Sequence, residues 1–407
     1  MKVLYVVSLF PCWSETFIVR EIRALKEMGV DVHILSLKKS KEEIVQSDTE
    51  SLIDNVIYPP GWIQLFMSSL MAIIIHPVIN ISLLLSIVKS LYRHPLSLLK
   101  SIFTFFLTLG VLEKVKESGV EHIHAHWATY PSTSALILSK NSGIPFSFTS
   151  HAHDIFLEDH MLKTKINESM FSVTISKYNK QRLAKQLNID IASKMNVIHC
   201  AIDIDTYKYV DNNRLPNEII SVGRLDYIKG FSVLIDACKL FKDNNPDFKC
   251  KIIGNGPLKN SLQNQIDRNG LADNVRLVGV MKQEEIRELL SSASFFVLPS
   301  VITDSGDMDG IPVALMEAMA TGLPVISTTV SGIPELIYND FNGIVVSPED
   351  PVELSQAMEK MLDRKRSSKY ALNARKTIES EFAIKIETSR LYSLISDSIG
   401  QNSIRNV

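Results

Sequence analysis

DSGDMDGIPVALMEAMATGLPVISTT, from Asp304 to Thr329, carries a loop, a helix and a strand in one run. It follows an apolar β-like segment, Phe295 to Leu298, that ends in Pro299-Ser300. A polar, Gly-containing loop comes next. Val313 to Ala320 then has the density of Ala, Leu, Met and Glu that favours a helix. Gly322 and Pro324 end it, and Val325-Ile326-Ser327 opens another short strand. Strand, loop and helix start in this order make an anion site, because the first N–H groups of a helix have no internal partner. Asp309 precedes that helix start and Glu317 lies two turns inside it. Carboxylates repel phosphate, so hydroxyl groups of a sugar or ribose suit them better.

The same alternation continues on both sides. Ile219 to Val222 reads as a strand running into Gly223-Arg224-Leu225-Asp226-Tyr227-Ile228-Lys229-Gly230. Glycine at a strand end lets backbone approach a ligand, and two cations beside a helix start are what a diphosphate needs. Phe248 to Ile253 leads into a second tight turn, Gly254-Asn255-Gly256-Pro257. Val275 to Val278 and Gly343 to Val346 are further strands. From about residue 351 the chain reads as helical, with a polar tail after Gly400.

The first half has a similar rhythm. Val3 to Leu9 is apolar and β-branched, as a buried parallel strand should be. Ser14-Glu15-Thr16 starts a helix whose apolar positions Phe17, Ile18, Ile22, Leu25 and Met28 fall at helical spacing. Val32 to Leu37 is the next strand. No G-x-G-x-x-G follows the first strand, which argues against a dinucleotide cofactor. His122 to His126 and Phe146 to Ser150 are strands, and the second ends in His151-Ala152-His153-Asp154. Ligands of open parallel sheets bind beyond the carboxyl ends of strands, so chemistry is expected there. His122, His124 and His126 share a face of their strand, yet no dedicated set of carboxylates or cysteines accompanies them, and no metal centre is expected. Val197 to His199 is the last short strand of this half. Cys200 to Glu218 reads as a linker, which divides the chain into 1–205, 206–385 and a C-terminal helix with its tail over 386–407.

Composition bounds the rest. At 407 residues the chain is too long for one compact core. A net charge of −2 provides no global basic field for nucleic acid, and four scattered cysteines fit a reducing compartment. One Lys and a short apolar run at the N-terminus suit a first strand better than a signal peptide. Between Asp54 and Lys89 stand 34 residues without formal charge. His76-Pro77 and Asn80 break that run, leaving pieces shorter than the ~20 residues a span needs. Lys89, Arg93, Lys100, Lys114 and Lys116 give this region and the next apolar stretch a basic edge. Three readings stand: shallow docking on an anionic membrane surface, helices that cover the N-terminal sheet, or a true membrane span.

Taken together, the chain resembles the retaining glycosyltransferases of family 4 with the GT-B fold, an α/β architecture of two facing Rossmann-like domains. The resemblance rests on SVGRL and KG between Ser221 and Gly230, IGNGP from Ile253, GIPVALMEAMATGLPVIST from Gly310 and SGIPELI from Ser331. In the first half, SETFIVREIRAL, HIHAHWA and FSFTSHAHDIF are similar to the bacterial colanic acid and amylovoran-type exopolysaccharide enzymes.

That resemblance implies a donor site. Gly223, Arg224 and Lys229 would hold the nucleotide diphosphate with Gly254 and Gly256 beside them. Backbone of Gly310, Ile311 and Pro312 would face sugar and diphosphate, and Glu317 the ribose. Asp309 stands where the family usually has Glu, so its contact with sugar hydroxyls is one methylene shorter. His151 would contact the donor sugar near the reacting carbon, with Ser14, Glu15 and Asp154 on the acceptor side. The resemblance also implies internal-return transfer of a hexose from a nucleotide diphosphate sugar, of the UDP type, without a protein nucleophile. The acceptor would be a polyprenyl-diphosphate-linked or growing polysaccharide at the cytoplasmic face of the plasma membrane. Asp307-Met308-Asp309 spells D-x-D, but the rest of the fold that uses it for Mn²⁺ is absent and no Glu closes a calcium loop. No metal or other cofactor is expected. The alternatives are a sugar-nucleotide epimerase on the same fold and an inactive assembly subunit.

Overall fold

The computed structural model describes the chain except residues 13–14, 41–49, 157–160, 189–190, 192, 211–213 and 406–407. Ser14 therefore lies outside the described residues. The chain divides into two compact units. One comprises Met1–Ile175, Lys180–Ile198 and Thr388–Val407, the other Ser176–Asn179 and His199–Glu387.

The first unit is a seven-stranded parallel sheet. Its strands are β1 (Lys2–Phe10), β2 (Asp31–Lys39), β3 (Val56–Ile57), β4 (His122–His126), β5 (Phe146–Ser150), β6 (Phe171–Thr174) and β7 (Met195–Val197). Their order is β3-β2-β1-β4-β5-β6-β7. The sequence order reverses between β1 and β4, which opens a crevice beyond those strand ends. Covered on both faces, the run Val3 to Val7 is wholly buried and needs no polar alternation. The second unit is a six-stranded parallel sheet of β8 (Glu218–Val222), β9 (Lys249–Ile253), β10 (Val275–Gly279), β11 (Phe295–Val297), β12 (Val325–Thr328) and β13 (Ile344–Val346). Its order is β10-β9-β8-β11-β12-β13, so its switch point lies between β8 and β11.

Several element boundaries differ from the sequence reading by a residue or two, and two of the differences affect packing. β7 begins at Met195 rather than Val197, because it pairs with β6 from Ser172↔Met195 to Thr174↔Val197, where β6 ends. The segment after Gly400 is not a loose tail: the helix Ile384–Arg405 runs through it. Leu391 and Ile395, one turn apart on that helix, join the core of the first unit with Val3, Tyr5 and Phe171.

The apolar region forms three helices, Trp62–Ile75, Pro77–Leu91 and Pro95–Glu117. The first two bend by 110° at their junction. Asn80 explains the polar break: its amide donates to the carbonyls of Ala72 and His76 and to Asn141 Oδ1, at 3.0–3.1 Å. The helix Pro95–Glu117 is long and apolar enough to cross a membrane. Much of it is nevertheless packed inside the fold, including Phe105, Leu109, Val111 and Leu112. Gly110 lets the helix Trp62–Ile75 come close, since a Cβ there would lie 2.3 Å from Leu65 Cδ1.

His199, just past β7, gives the second unit a pH-dependent contact. Its ring nitrogens lie 3.6 Å from Glu335 and 3.6 Å from Glu387. Burial alone would lower its pKa, but the two carboxylates outweigh burial and raise it above the ordinary 6.5. For Glu335, burial works upward and is outweighed by His199 and by the amides of Lys177 and Tyr178, so its pKa falls below 4.5. The His199 contribution to stability is complete below its unfolded pKa and lost as pH rises through its raised folded value. That of Glu335 is complete above its unfolded pKa and lost as pH falls through its lowered one. Thermal unfolding should therefore show the largest advantage of wild type over His199→Gln at pH 5–6, shrinking towards pH 9. A difference that stays flat over that range would remove the ionic contact.

Candidate active site

At the switch point of the second sheet, β8 runs into Gly223 and β11 into Pro299-Ser300. A single 3₁₀ turn, Tyr227–Lys229, follows β8, capped by Asp226, whose carboxylate accepts from the Tyr227 N–H at 2.6 Å. Gly230 then adopts φ +66° directly over the end of β11: a Cβ there would sit 1.8 Å from the Pro299 carbonyl oxygen. This close seating aims Lys229 across the crevice. Its Nζ donates to both carboxylate oxygens of Asp309, at 2.7 and 2.8 Å, and Ser300 Oγ donates to Asp309 Oδ2 at 3.1 Å. Arg224 extends into solvent with 72% of its side chain exposed, its Nε 3.6 Å from Asp226.

Below this pair lies the helix Val313–Ala320, whose bounds match the sequence reading. No side chain caps its start. Gly310, Ile311 and Pro312 are buried just before it, so backbone N–H groups and a positive helix end sit beside Lys229. Glu317 is buried on that helix. Its Oε1 accepts from Tyr207 Oη at 2.8 Å and from Gln283 Nε2 at 3.0 Å. Neither Tyr207 nor Gln283 stood out in the sequence, and Tyr207 lies in what reads as a linker. The two glycine turns meet backbone to backbone: the Gly223 N–H donates to Ile253 O and the Leu225 N–H to Asn255 O, each at 3.0 Å. Asp307 turns inward on its own loop, its Oδ1 accepting from the Met308 N–H at 3.0 Å.

In the first unit, β4 and β5 deliver a second cluster beside that sheet's switch point. His151, just past β5, is buried against Trp127 and Phe17, with ring centroids 4.4 and 4.8 Å apart. Burial, with His126 adding to it, pushes its pKa well below 6.5, so the ring is neutral at physiological pH. Asp154 is buried as well: Oδ1 accepts from the His151 N–H at 2.9 Å and Oδ2 from the Ala128 N–H at 2.6 Å. Its carboxylate thus staples the two strand ends together. Glu15 accepts from the Trp127 indole at 3.0 Å. Trp127 sits at φ +81°, a conformation rare for a bulky residue, held by this bond and by its N–H to Thr149 O at 2.9 Å.

The three histidines of β4 are all buried and pair chiefly with hydroxyls. His122 and His124 share Ser147 Oγ at 2.7 and 2.8 Å, and His124 reaches Thr149 Oγ1 at 3.0 Å. His126 differs, with Nε2 2.9 Å from Glu21 Oε1. Ligand atoms of Glu21, His124 and His126 lie within 4.8 Å of one another. The hydrogen bonds just given already occupy both nitrogens of His124 and join His126 to Glu21. Glu21 escaped the sequence reading, although it lies one turn from Ile18 and Leu25 on a helix whose apolar face is buried.

Two parallel α/β units, one with cations and an uncapped helix start at its switch point, define the GT-B class. Residues 14–206 match the family model described as Glycosyltransferase Family 4, and residues 208–377 that described as Glycosyl transferases group 1. The two matches follow one another along the chain, so its first half is similar to the family 4 glycosyltransferases and its second half to the group 1 glycosyl transferases. It is 41% identical over 182 residues to the colanic acid biosynthesis glycosyltransferase WcaL of Escherichia coli, covering 44% of this chain and 45% of the relative. To the amylovoran biosynthesis glycosyltransferase AmsK of Erwinia amylovora it is 42% identical over 195 residues, 47% of this chain and 48% of the relative. The chain thus spans about half the length of these curated relatives. Among solved structures, Anabaena HepE in complex with UDP and glucose superposes with a TM-score of 0.70 at 17% identity, over 98% of this chain and 100% of that one.

Proposed function

We propose that this chain is a retaining glycosyltransferase of exopolysaccharide assembly. It moves a hexose from a nucleotide diphosphate sugar to a saccharide on a polyprenyl diphosphate carrier. The observation that carries this reading is the Lys229–Asp309 pair, set between two strand ends of one sheet and an uncapped helix start. Breaking the bond between the anomeric carbon and the diphosphate puts negative charge on the β-phosphate and positive charge on the sugar. Lys229, Arg224 and the backbone N–H groups stabilise the first of these as it forms. As the diphosphate arrives, Lys229 exchanges Asp309 for phosphate oxygen, and Asp309 turns to the sugar hydroxyls. The acceptor hydroxyl attacks from the leaving-group face and gives its proton to the departing phosphate oxygen. The anomeric configuration is retained without a protein nucleophile. The side chains themselves neutralise the diphosphate, so no metal is needed. The UDP held by the Anabaena neighbour supports a UDP-sugar as donor.

The test is transfer from a panel of nucleotide sugars to a lipid-linked saccharide, with and without chelator, reading the new linkage by NMR. Nucleotide release with retained configuration and an unchanged rate in chelator is the expected result. Inversion, a requirement for Mn²⁺, or no release with any donor would overturn the corresponding part.

The acceptor implies a place at the inner face of the plasma membrane, and the helices Trp62–Ile75 and Pro77–Leu91 support that. Trp62, Ile63, Phe66, Val78 and Leu85 are each more than 60% exposed, a large apolar surface of the kind that marks an interaction site. Lys89, Arg93 and Lys100, which follow these residues in the sequence, are exposed as well. Partition onto vesicles containing anionic lipid should follow, with each basic residue adding about 1 kcal/mol. Replacing all three by Gln should lower binding on the order of 100-fold, and added salt should weaken wild type by screening. Binding that ignores both charge and salt would return these helices to a covering role.

A further inference from the structure

Behind His151 the hydrogen bonds form a chain that the transfer mechanism does not use. Tyr5 Oη donates to Glu21 Oε1 at 2.7 Å, and His126 Nε2 lies 2.9 Å from the same oxygen. On the other edge of its ring, His126 Nδ1 lies 3.2 Å from His151 Nε2. The rings stack along the chain, Tyr5 on His126 at 25° and His126 on His151 at 28°. We propose that Glu21, acting through His126, sets which nitrogen of His151 carries the imidazole proton, so that Glu21 and His126 are positioning residues for transfer. The link to transfer rests on the reading above, in which His151 meets the donor sugar.

The polarity follows from the carboxylate end. Burial pushes the Glu21 pKa upward, but His126, His124 and the Tyr5 hydroxyl outweigh it and bring it to about 2. Glu21 is therefore a carboxylate at working pH, and an ionised carboxylate only accepts. His126 must hold its proton on Nε2. In a neutral His126, Nδ1 is then a lone pair. A nitrogen-to-nitrogen hydrogen bond needs one proton between its ends, so His151 must supply it from Nε2. Whatever His151 Nδ1 meets, it meets as an acceptor. His124 stands beside the chain without joining it: burial, with His126, lowers its pKa to about 3, and its nitrogens bond Ser147 and Thr149.

The test is the ¹⁵N spectrum of histidine-labelled protein at pH 8, read for the His151 tautomer, together with donor kinetics. Wild type should carry the proton on Nε2. Glu21→Leu removes the acceptor and should shift His151 towards the Nδ1–H form, lowering kcat about tenfold or more with KM for the nucleotide sugar little changed. Glu21→Gln keeps an oxygen that accepts the same His126 proton and should restore both the tautomer and most of kcat. A wild-type Nδ1–H ring overturns the proposal, whether or not Glu21→Leu folds. So does a Glu21→Leu protein with unaltered tautomer or unaltered kcat. His151→Ala separates the two levels: full transfer by that variant would sink the role of His151 in the site, while the spectrum still reports on the chain behind it.

Discussion

Lys229→Ala should lower kcat/KM for the donor by two to three orders of magnitude, about 3–4 kcal/mol. Two losses combine. The variant removes a cation fixed where the departing diphosphate becomes most negative. It also strips Asp309 of the partner that holds both its oxygens, at 2.7 and 2.8 Å. Asp309 is only 13% exposed, so its charge is then poorly solvated and faces the incoming phosphate. The second loss can be measured separately. Lys229→Ala with Asp309→Ala should bind nucleoside diphosphate more tightly than Lys229→Ala alone, because the double variant lacks the repelling carboxylate. Steady-state transfer and calorimetric binding of nucleoside diphosphate check the two parts. Donor kinetics for Lys229→Ala within about twofold of wild type would take this lysine out of the reaction.

What could be foreseen at this site and what could not follow one physical division. Strand ends, glycine turns and the helix Val313–Ala320 are properties of short runs, and the sequence displayed them directly. The density of helix-forming residues and the stop at Gly322-Pro324 placed that helix at its observed bounds. The partners of its carboxylate are another matter. Tyr207 reaches Glu317 from 110 residues away and Gln283 from 34, and no local pattern encodes such a meeting. The linker reading failed to register this role because polar composition and weak periodicity look the same in a loose segment and a tethered one. Here the segment is tethered: Arg375 donates to the carbonyls of Tyr207 and Ala320, each at 2.6 Å. Glu21 was hidden for a related reason. On a helical wheel it is one more polar residue beside an apolar face, and only the packing of β1 and β4 brings Tyr5 and His126 onto it. The exposed apolar helices are the reverse case. Their composition was plain, but which side chains remain outside depends on how Gly110, Asn80 and Asn141 seat them.

Gly254→Ala should cost more stability than ordinary point changes do, at least about 4 kcal/mol, and should abolish nucleotide binding with it. Gly254 adopts φ +142°, a conformation that only glycine takes comfortably. A Cβ there would lie 1.9 Å from the Gly223 carbonyl oxygen. That oxygen belongs to backbone already tied down, since the Gly223 N–H donates to Ile253 O and the Leu225 N–H to Asn255 O. Relief therefore requires the two glycine turns to separate, which carries Arg224 and Lys229 away from the helix start. Gly270→Ala is the matched control. Gly270 also has positive φ, at +65°, but nothing lies within 4 Å of a Cβ there. Its cost should stay near the ~1 kcal/mol of backbone strain alone. Denaturant midpoints of the two variants, with nucleotide binding measured on each, make the comparison. If Gly254→Ala unfolds at the same midpoint as Gly270→Ala and still binds nucleotide, the seam between the turns is not what holds the cations in place.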